Sequence, residues 1–432
     1  MVRFGILSPP GFGHLNGMIA IGRELMTLNH SVTVFSAADS RTSVTKAGLN
    51  FMAIGEYEYP EGSVKEVSDN MGKLVGIAAT IYNVDLSEKV AKVSLRDTPT
   101  AIQNENIDVL LVDQSMVEGK TIAEITNIPF ITICNALILD PEPNIPPLVT
   151  SWNYDISWWS IARNQLGYSL FGLLSFKIAQ VIENYRRQNN LPIASDLNFN
   201  NLVNSNLAVI SQQIAEFEYP RTQLPPQFHF TGLFSANTEY REPIEFPWNR
   251  LNGKPIIYAS MGTIQNQQLW IFEAIANACK DFDCQLIISI GGSKEPQRIK
   301  TLPGSPLVVK YAPQLEILEK ASLCITHAGM NTTLECLKYG IPMVAIPIAN
   351  DQPGIASRIE WTKTGMVVQI HELLYGLAYF RLKQAIEKVI YDSSYRENAL
   401  KMQQHMRSAG GVKKAVDIIE RAVATNSPIY RA

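Results

Sequence analysis

Short apolar, β-branched runs recur along the chain and alternate with stretches whose apolar residues fall three and four apart. The first series is VRFGIL (2–7), SVTVF (31–35), VLLVD (109–113), FITIC (130–134) and LAVIS (207–211). The second is IIYAS (256–260), LIISIG (286–291), LVVK (307–310), LCITH (323–327) and MVAIP (343–347). Between such runs, MIAIGRELMTL (18–28) and IFEAIANACKDF (271–282) carry helical spacing. Continuous apolar strands suit a parallel sheet buried on both faces, and the intervening helices supply its cover. The pattern predicts doubly wound α/β units.

The alternation lapses between 219 and 255. Pro220, Pro225, Pro226, Pro243, Pro247 and Pro255 interrupt regular structure there, and YREPIEFPWNRLNGKP is polar and turn-rich. We place a linker at 234–252, between a first domain at 1–233 and a second at 253–405. A chain of 432 residues is long enough for two cores. Ligands in such folds sit at the carboxyl ends of the strands, so two facing domains predict a cleft.

Composition narrows the classes. Apolar residues are 46% and charged residues 18%, as in ordinary globular enzymes. The net charge of -3 lacks the basic excess of a nucleic-acid binder. Five cysteines (Cys134, Cys279, Cys284, Cys324, Cys336) form no CxxC pair, and Cys324 and Cys336 read as buried thiols. A reduced, cytoplasmic setting is expected, and the N-terminus shows no secretory pattern. No apolar run reaches the ~20 residues of a membrane span. The nearest, GYSLFGLLSFKIAQVI (167–182), contains Lys177 and Gln180, and Trp152, Trp158, Trp159 and Tyr168 lie at or before its start. Residues 152–176 fit an amphipathic helix with its loop, or else an apolar ligand pocket or a surface in peripheral contact with a membrane.

The stretch richest in candidate chemistry is ITHAGMNTTLECLKYGIPMVAIPIANDQ (325–352). A strand ends at His327, Gly329 permits a tight turn, and Asn331, Thr332 and Thr333 open a helix. A helix N-terminus offers unpaired N–H groups and a positive dipole end, which suits a phosphate. His327 and Thr332 add hydrogen-bonding groups, and Glu335, one turn on, suits a pair of ribose hydroxyls. Thr332-x-x-Glu335 is also a capping box, and Asp351 is also a candidate helix cap.

In this order, His-x-Gly-x-Asn-Thr-x-x-Glu followed by Asp-Gln resembles the donor signature of the family 1, UDP-dependent glycosyltransferases, which have the GT-B fold. YAPQ (311–314) and YASMGT (258–263) extend the resemblance, which runs from residue 4 to about 420. It implies that Tyr311 stacks on uracil, that the backbone of Ala312 reads the base edge and that Gln314 completes that motif. It implies a loop of Ser260, Gly262 and Thr263 beneath the diphosphate. His327, Gly329, Asn331, Thr332 and Glu335 would hold the rest of the nucleotide, and Asp351 and Gln352 the sugar hydroxyls. Tyr311 and Met330 stand where plant members carry Trp. The C-terminal helix, 406–432, is expected to return to the first domain, and the cleft to close on the donor.

The glycine-rich stretch SPPGFGHLNG (8–17) has two readings. Its spacing, Gly11-x-Gly13-x-x-x-Gly17, is one residue too long for a dinucleotide fingerprint, and Asp39 falls late for the acidic partner. GFGH resembles the family's Gly-x-Gly-His, which implies that His14 is the catalytic base, oriented by Asp113, with Gly13 beside the donor. Asp113 alone also fits a helix cap. Gly17 replaces the proline of the GHLNP seen in many bacterial members, at what reads as the first helical position. The implied reaction is an inverting transfer of hexose from a UDP-sugar, with no metal and no other cofactor. Residues 135–174 look most like the carotenoid glucosyltransferase branch, so the expected acceptor is a lipophilic alcohol or phenol, and Gln352 leans towards glucose. The competing classes are a GT-B nucleotide-sugar epimerase and a non-catalytic GT-B partner protein.

Overall fold

The computed structural model describes residues 1–193, 203–235, 244–264, 266–292, 301–374 and 378–431. Residues 236–243 of the expected linker, Pro243 included, lie outside them. Seven strands form the first sheet: β1 (Arg3–Leu7), β2 (Ser31–Ser36), β3 (Asn50–Ala53), β4 (Val109–Asp113), β5 (Phe130–Cys134), β6 (Val209–Ser211) and β7 (Phe228–Phe230). Six form the second: β8 (Ile256–Ser260), β9 (Gln285–Ser289), β10 (Leu307–Val309), β11 (Ala321–Thr326), β12 (Met343–Ala345) and β13 (Gly365–Val367). Their orders are β3-β2-β1-β4-β5-β6-β7 and β10-β9-β8-β11-β12-β13, and every pairing is parallel. The direction of winding reverses between β1 and β4 and again between β8 and β11. A crevice opens at such switch points, and the loops after these four strands carry most of the candidate residues.

The apolar runs became strands for the expected reason: β4 and β8 are buried along their whole length. Strands β3, β7 and β13 were not foreseen. They are three or four residues long and lie at sheet edges, so their sequence carries little periodicity. The first helix spans Phe12–Thr27 and starts well before Gly17, which reads as its first position in the sequence. Gly11 is its N-cap, extended at φ −65°, and its carbonyl accepts the N–H groups of His14 and Leu15. The Gly-Phe-Gly-His stretch is therefore the first turn of a helix, not a bent loop.

The last helix, Gly411–Thr425, buries Ala415, Val416, Ile418, Ile419 and Ala422 in the same core as Phe4, Ile6 and Met18. Glu420 pairs with His30 at 3.1 Å, and the tail beyond it donates from Ile429 to the carbonyl of Leu207. Among the described residues no helix is long and apolar enough to cross a membrane.

A buried ion pair joins the two halves. Arg358, on the helix Gln352–Trp361, binds the Glu218 carboxylate through Nε at 3.0 Å and also through its terminal nitrogen. Arg358 also lies over the Tyr219 ring, 4.3 Å from its centroid, and Arg221 reaches Glu218 at 3.3 Å. Burial alone would raise the Glu218 carboxyl, but the charges of Arg358 and Arg221 hold it below the usual range. Removing one partner of a buried pair leaves the other charge uncompensated. Arg358→Ala is expected to cost about 3–5 kcal/mol, read as a fall in the thermal midpoint. A paired Arg358→Met, Glu218→Gln replacement, which leaves Arg221 an acceptor and its second carboxylate Glu142, should recover part of that loss.

Candidate active site

Asp113 ends β4 and has no exposed side-chain surface. Four groups meet its carboxylate. His14 Nδ1 donates at 2.9 Å to Oδ2, and Asn135 Nδ2 donates to the same oxygen at 2.8 Å. The Ser115 backbone N–H reaches Oδ1 at 2.9 Å, and the Ser115 hydroxyl also donates there. Asp113 does not cap a helix; the following helix starts at Gly119, with Glu118 as its N-cap. Burial would push the Asp113 carboxyl up, but the charge and hydrogen bond of His14 and the Ser115 donors hold it below its ordinary value.

His14 lies in the first turn of its helix with its side chain 29% exposed. Burial would lower its pKa, but the charge and hydrogen bond of Asp113, helped by the charge of Asp351, raise it above 6.5. With Nδ1–H given to Asp113, the neutral ring presents the Nε2 lone pair as acceptor. Asp351 precedes the helix that carries Arg358, so its charge reaches His14 from the second domain. Its carboxylate also accepts the Leu137 N–H at 3.3 Å, and it makes no side-chain cap. Burial raises the Asp351 carboxyl, while Leu137 and His14 oppose the shift.

Gly17 corrects one expectation. It is not the first helical residue but lies inside the helix, buried. A Cβ there would stand 2.1 Å from Asn135 Oδ1. Gly17 is thus the space that lets Asn135 reach Asp113. The same probe at Gly13 meets nothing within 4 Å.

In the second domain, β11 ends at Thr326, one residue before His327. The left-handed residue is Ala328 (φ 64°), whereas Gly329 is extended and caps the helix Met330–Tyr339. Glycine is needed at 329 for another reason. A Cβ there would lie 2.5 Å from His327 Nε2, and one on Gly262 (φ 73°) would lie 2.6 Å from the ring. The imidazole fills the space between two glycines. Burial pulls its pKa down to about 4, with a Ser260 backbone contact opposing, so it is neutral near pH 7. Its Nδ1 is buried without a hydrogen-bond partner among the described residues.

Thr332 and Glu335 form no capping box. Instead Gln314 Nε2 donates to Thr332 Oγ1 at 3.3 Å and to a Glu335 oxygen, and Tyr258 Oη donates to Gln314 Oε1 at 3.0 Å. Gln314 is thereby the holder of Thr332 and Glu335. Ser260 Oγ accepts the Gly262 N–H at 3.3 Å, and Thr263 is exposed. Asn266, unforeseen, donates to the carbonyls of Gly262, Thr263 and Gly291 and ties the two loops. Ala312 is buried, and the Tyr311 ring, 47% exposed, lies against Gly292. Gln352 turns its Oε1 to the N–H groups of Ile348 and Ala349, at 2.9 and 3.0 Å. Asn331 is engaged across the cleft. Its Nδ2 donates to the Gly13 carbonyl at 2.9 Å, and its Oδ1 accepts from Gln212 at 2.9 Å.

A cavity of about 360 Å³ lies between the segment 139–149 and the helix Trp158–Gln188. Pro141, Pro147, Leu148, Phe171 and Phe176 are among its walls. The tryptophans do not line it. Trp158 is 81% exposed, and Trp152 packs beside Gly167 and under Arg163. The Leu148 carbonyl accepts the N–H of Gly354, so one wall is fixed to the helix that Asp351 precedes.

A family model described as UDP-glucoronosyl and UDP-glucosyl transferase matches residues 18–420. A zeaxanthin glucosyltransferase of Pantoea ananas is 28% identical over 431 residues, 99% of this chain and 98% of that one. A second, of Pseudescherichia vulneris, is 27% identical over 441 residues, covering 99% and 100%. Among solved structures, the glycotransferase of kitacinnamycin has a TM-score of 0.74 at 21% identity, covering 97% of this chain and 98% of that one.

Gly17→Ala separates helix propensity from packing. Alanine in a helix interior is worth up to about 1 kcal/mol over glycine. Here its methyl group collides with Asn135, and overpacking costs about 1–3 kcal/mol. Urea unfolding is expected to show a net loss of stability.

Proposed function

The chain belongs to the UDP-glucuronosyl and UDP-glucosyl transferase family, and from that premise we propose that it moves glucose from a UDP-sugar to a hydroxyl of a lipophilic small molecule, with inversion. Membership makes it a glycosyltransferase of GT-B fold acting on small molecules. The carbon–oxygen bond forms between the acceptor oxygen and the anomeric carbon. The bond from that carbon to the β-phosphate oxygen breaks on the opposite face, and UDP leaves with the electron pair. His14 Nε2 takes the acceptor's proton, and Asp113 stabilises the imidazolium that results. The observation that carries this reading is the half-open His14 ring bonded to a fully buried carboxylate.

The donor's place is supported by the second-domain loops. The helix Met330–Tyr339 presents its N-terminal N–H groups beside His327 and the Ser260–Thr263 turn, a setting suited to the growing charge on UDP. Glu335 suits the ribose, Tyr311 the base, and Asp351 and Gln352 the sugar. The zeaxanthin glucosyltransferases and the apolar cavity support a lipophilic acceptor.

His14→Ala is expected to lower transfer about 10²–10⁴-fold while UDP affinity, measured by calorimetry, stays near normal. UDP release from UDP-glucose, followed with and without a panel of lipophilic alcohols, separates the competing classes. Acceptor-dependent release fits transfer, sugar release without acceptor fits an epimerase, and binding without release fits a silent partner. Because the base works deprotonated and its pKa is raised, kcat/KM is expected to rise with pH through a midpoint above 6.5. Asp113→Asn moves that midpoint down. The same pairing stabilises the fold below about pH 6.5 and loses its contribution as pH climbs through the folded-state value.

The helix Trp158–Gln188 also carries an exposed apolar stripe: Trp158, Leu166, Leu170 and Leu173, spaced eight, four and three apart on one face. Phe176, next along it, is half exposed and also lines the cavity. This stripe would rest on the lipid surface that supplies the acceptor. Co-sedimentation with phosphatidylcholine–phosphatidylglycerol vesicles is the measurement. Binding is expected, with loss in a Leu166→Glu, Leu170→Glu variant; no binding by the unaltered protein sinks this part.

A further inference from the structure

The hydrogen bonds around His14 and Asp113 close into a ring that passes through both domains. Asp113 is the last residue of β4, while Asn135 and Gln212 directly follow the last residues of β5 and β6. These three strands are neighbours in the sheet, so their ends stand in a row along its carboxyl edge. Asn135 Nδ2 donates to Asp113. Gln212 Nε2 donates one hydrogen to the Asn135 carbonyl and the other to Asn331 Oδ1. Asn331 Nδ2 donates to the carbonyl of Gly13, the residue before His14, and His14 completes the ring on Asp113.

We propose that Asn331, from the donor domain, is a positioning residue that couples the seating of that domain to the orientation of His14. Both ends of its amide are spent across the interface, one on the backbone beside His14 and the other on the row that steadies Asp113. Domain separation breaks both contacts at once. The first turn of the Phe12–Thr27 helix then loses its external anchor, and Gln212 loses the partner that fixes its rotamer. The base is fully aligned only when the donor domain is in place. This reading rests on His14 being the base. It departs from a purely phosphate-binding role for Asn331.

The charged groups facing His14 are Asp113 on β4 and Asp351 ahead of the helix Gln352–Trp361. Loosening the ring weakens the first of these contacts, so the His14 titration moves down. Asn331→Ala, at a half-buried interface position, is expected to lower kcat about tenfold to hundredfold. Its UDP dissociation constant stays within about threefold, and the His14 midpoint, read by NMR without substrates, falls by about half a unit or more. Gln212→Leu, at a fully buried position that meets the second domain through the Asn331 side chain, is expected to give the same signature. The proposal is overturned if Asn331→Ala weakens UDP binding as much as it lowers kcat/KM and leaves the titration unmoved. It is equally overturned if a folded Gln212→Leu protein keeps normal kcat and a normal titration. Should Gln212→Leu fail to fold, Asn331→Ala decides alone. Transfer retained by His14→Ala would sink the base assignment instead, and the NMR titration reads the ring independently of that result.

Discussion

A carboxylate with no access to water dominates the first domain. An unpaired buried charge of this kind costs far more than any single hydrogen bond returns, so Asp113 requires donors on every side. His14, Ser115 and Asn135 supply them. Each donor then imposes its own demand. His14 can reach only if its helix begins at Phe12. Asn135 can reach only if position 17 has no side chain. Ser115 bends the chain after β4 back onto the carboxylate. Much of the local sequence follows from keeping one charge buried beside a ring that stays open to the cleft.

The second domain meets a related requirement with glycine instead of charge. His327 is held by close backbone approach at Gly262 and Gly329, and burial keeps it neutral. A neutral imidazole beside a helix N-terminus can act as a hydrogen-bonding group without placing a fixed cation there. The domains meet along one helix face. Asp351 touches the Leu137 N–H, Gly354 touches the Leu148 carbonyl, and Arg358 binds Glu218. The spacing of three and four residues puts all three on the same side. The helix that presents Asp351 towards His14 is therefore the one that the buried ion pair seats.

The sequence makes the architecture legible because parallel strands buried on both faces leave long apolar signals. The strands that escaped, β3, β7 and β13, are short and all lie at sheet edges. The strand, turn and helix start that carry His327, Gly329, Asn331 and Thr332 were legible through their order after β11. What could not be read was how they are used. Asn331 looked like a phosphate ligand and is engaged across the cleft. Gln314 looked like part of a base-reading motif and holds Glu335. Gly17 looked like a weakened helix start and is a packing requirement. Each depends on contacts between residues far apart in sequence, which periodicity and local motif cannot report. Arg358 and Glu218 escaped for the same reason, since either one alone reads as a surface charge.

A subtler signal was present in the strand ends. VLLVD, FITICN and LAVISQ each finish an apolar run with a polar residue capable of hydrogen bonding: Asp113, Asn135 and Gln212. In a doubly wound sheet these ends fall where ligands bind. Any one of them reads as the start of a loop. Once the order β4-β5-β6 is known, they become neighbours in a single row, and a row containing a buried carboxylate must be internally hydrogen-bonded. The topology turns three unremarkable loop residues into one constraint. Asn331 enters that constraint from the other domain through its contacts with Gln212 and the Gly13 carbonyl, so the start of the helix Met330–Tyr339 bears on the backbone beside His14.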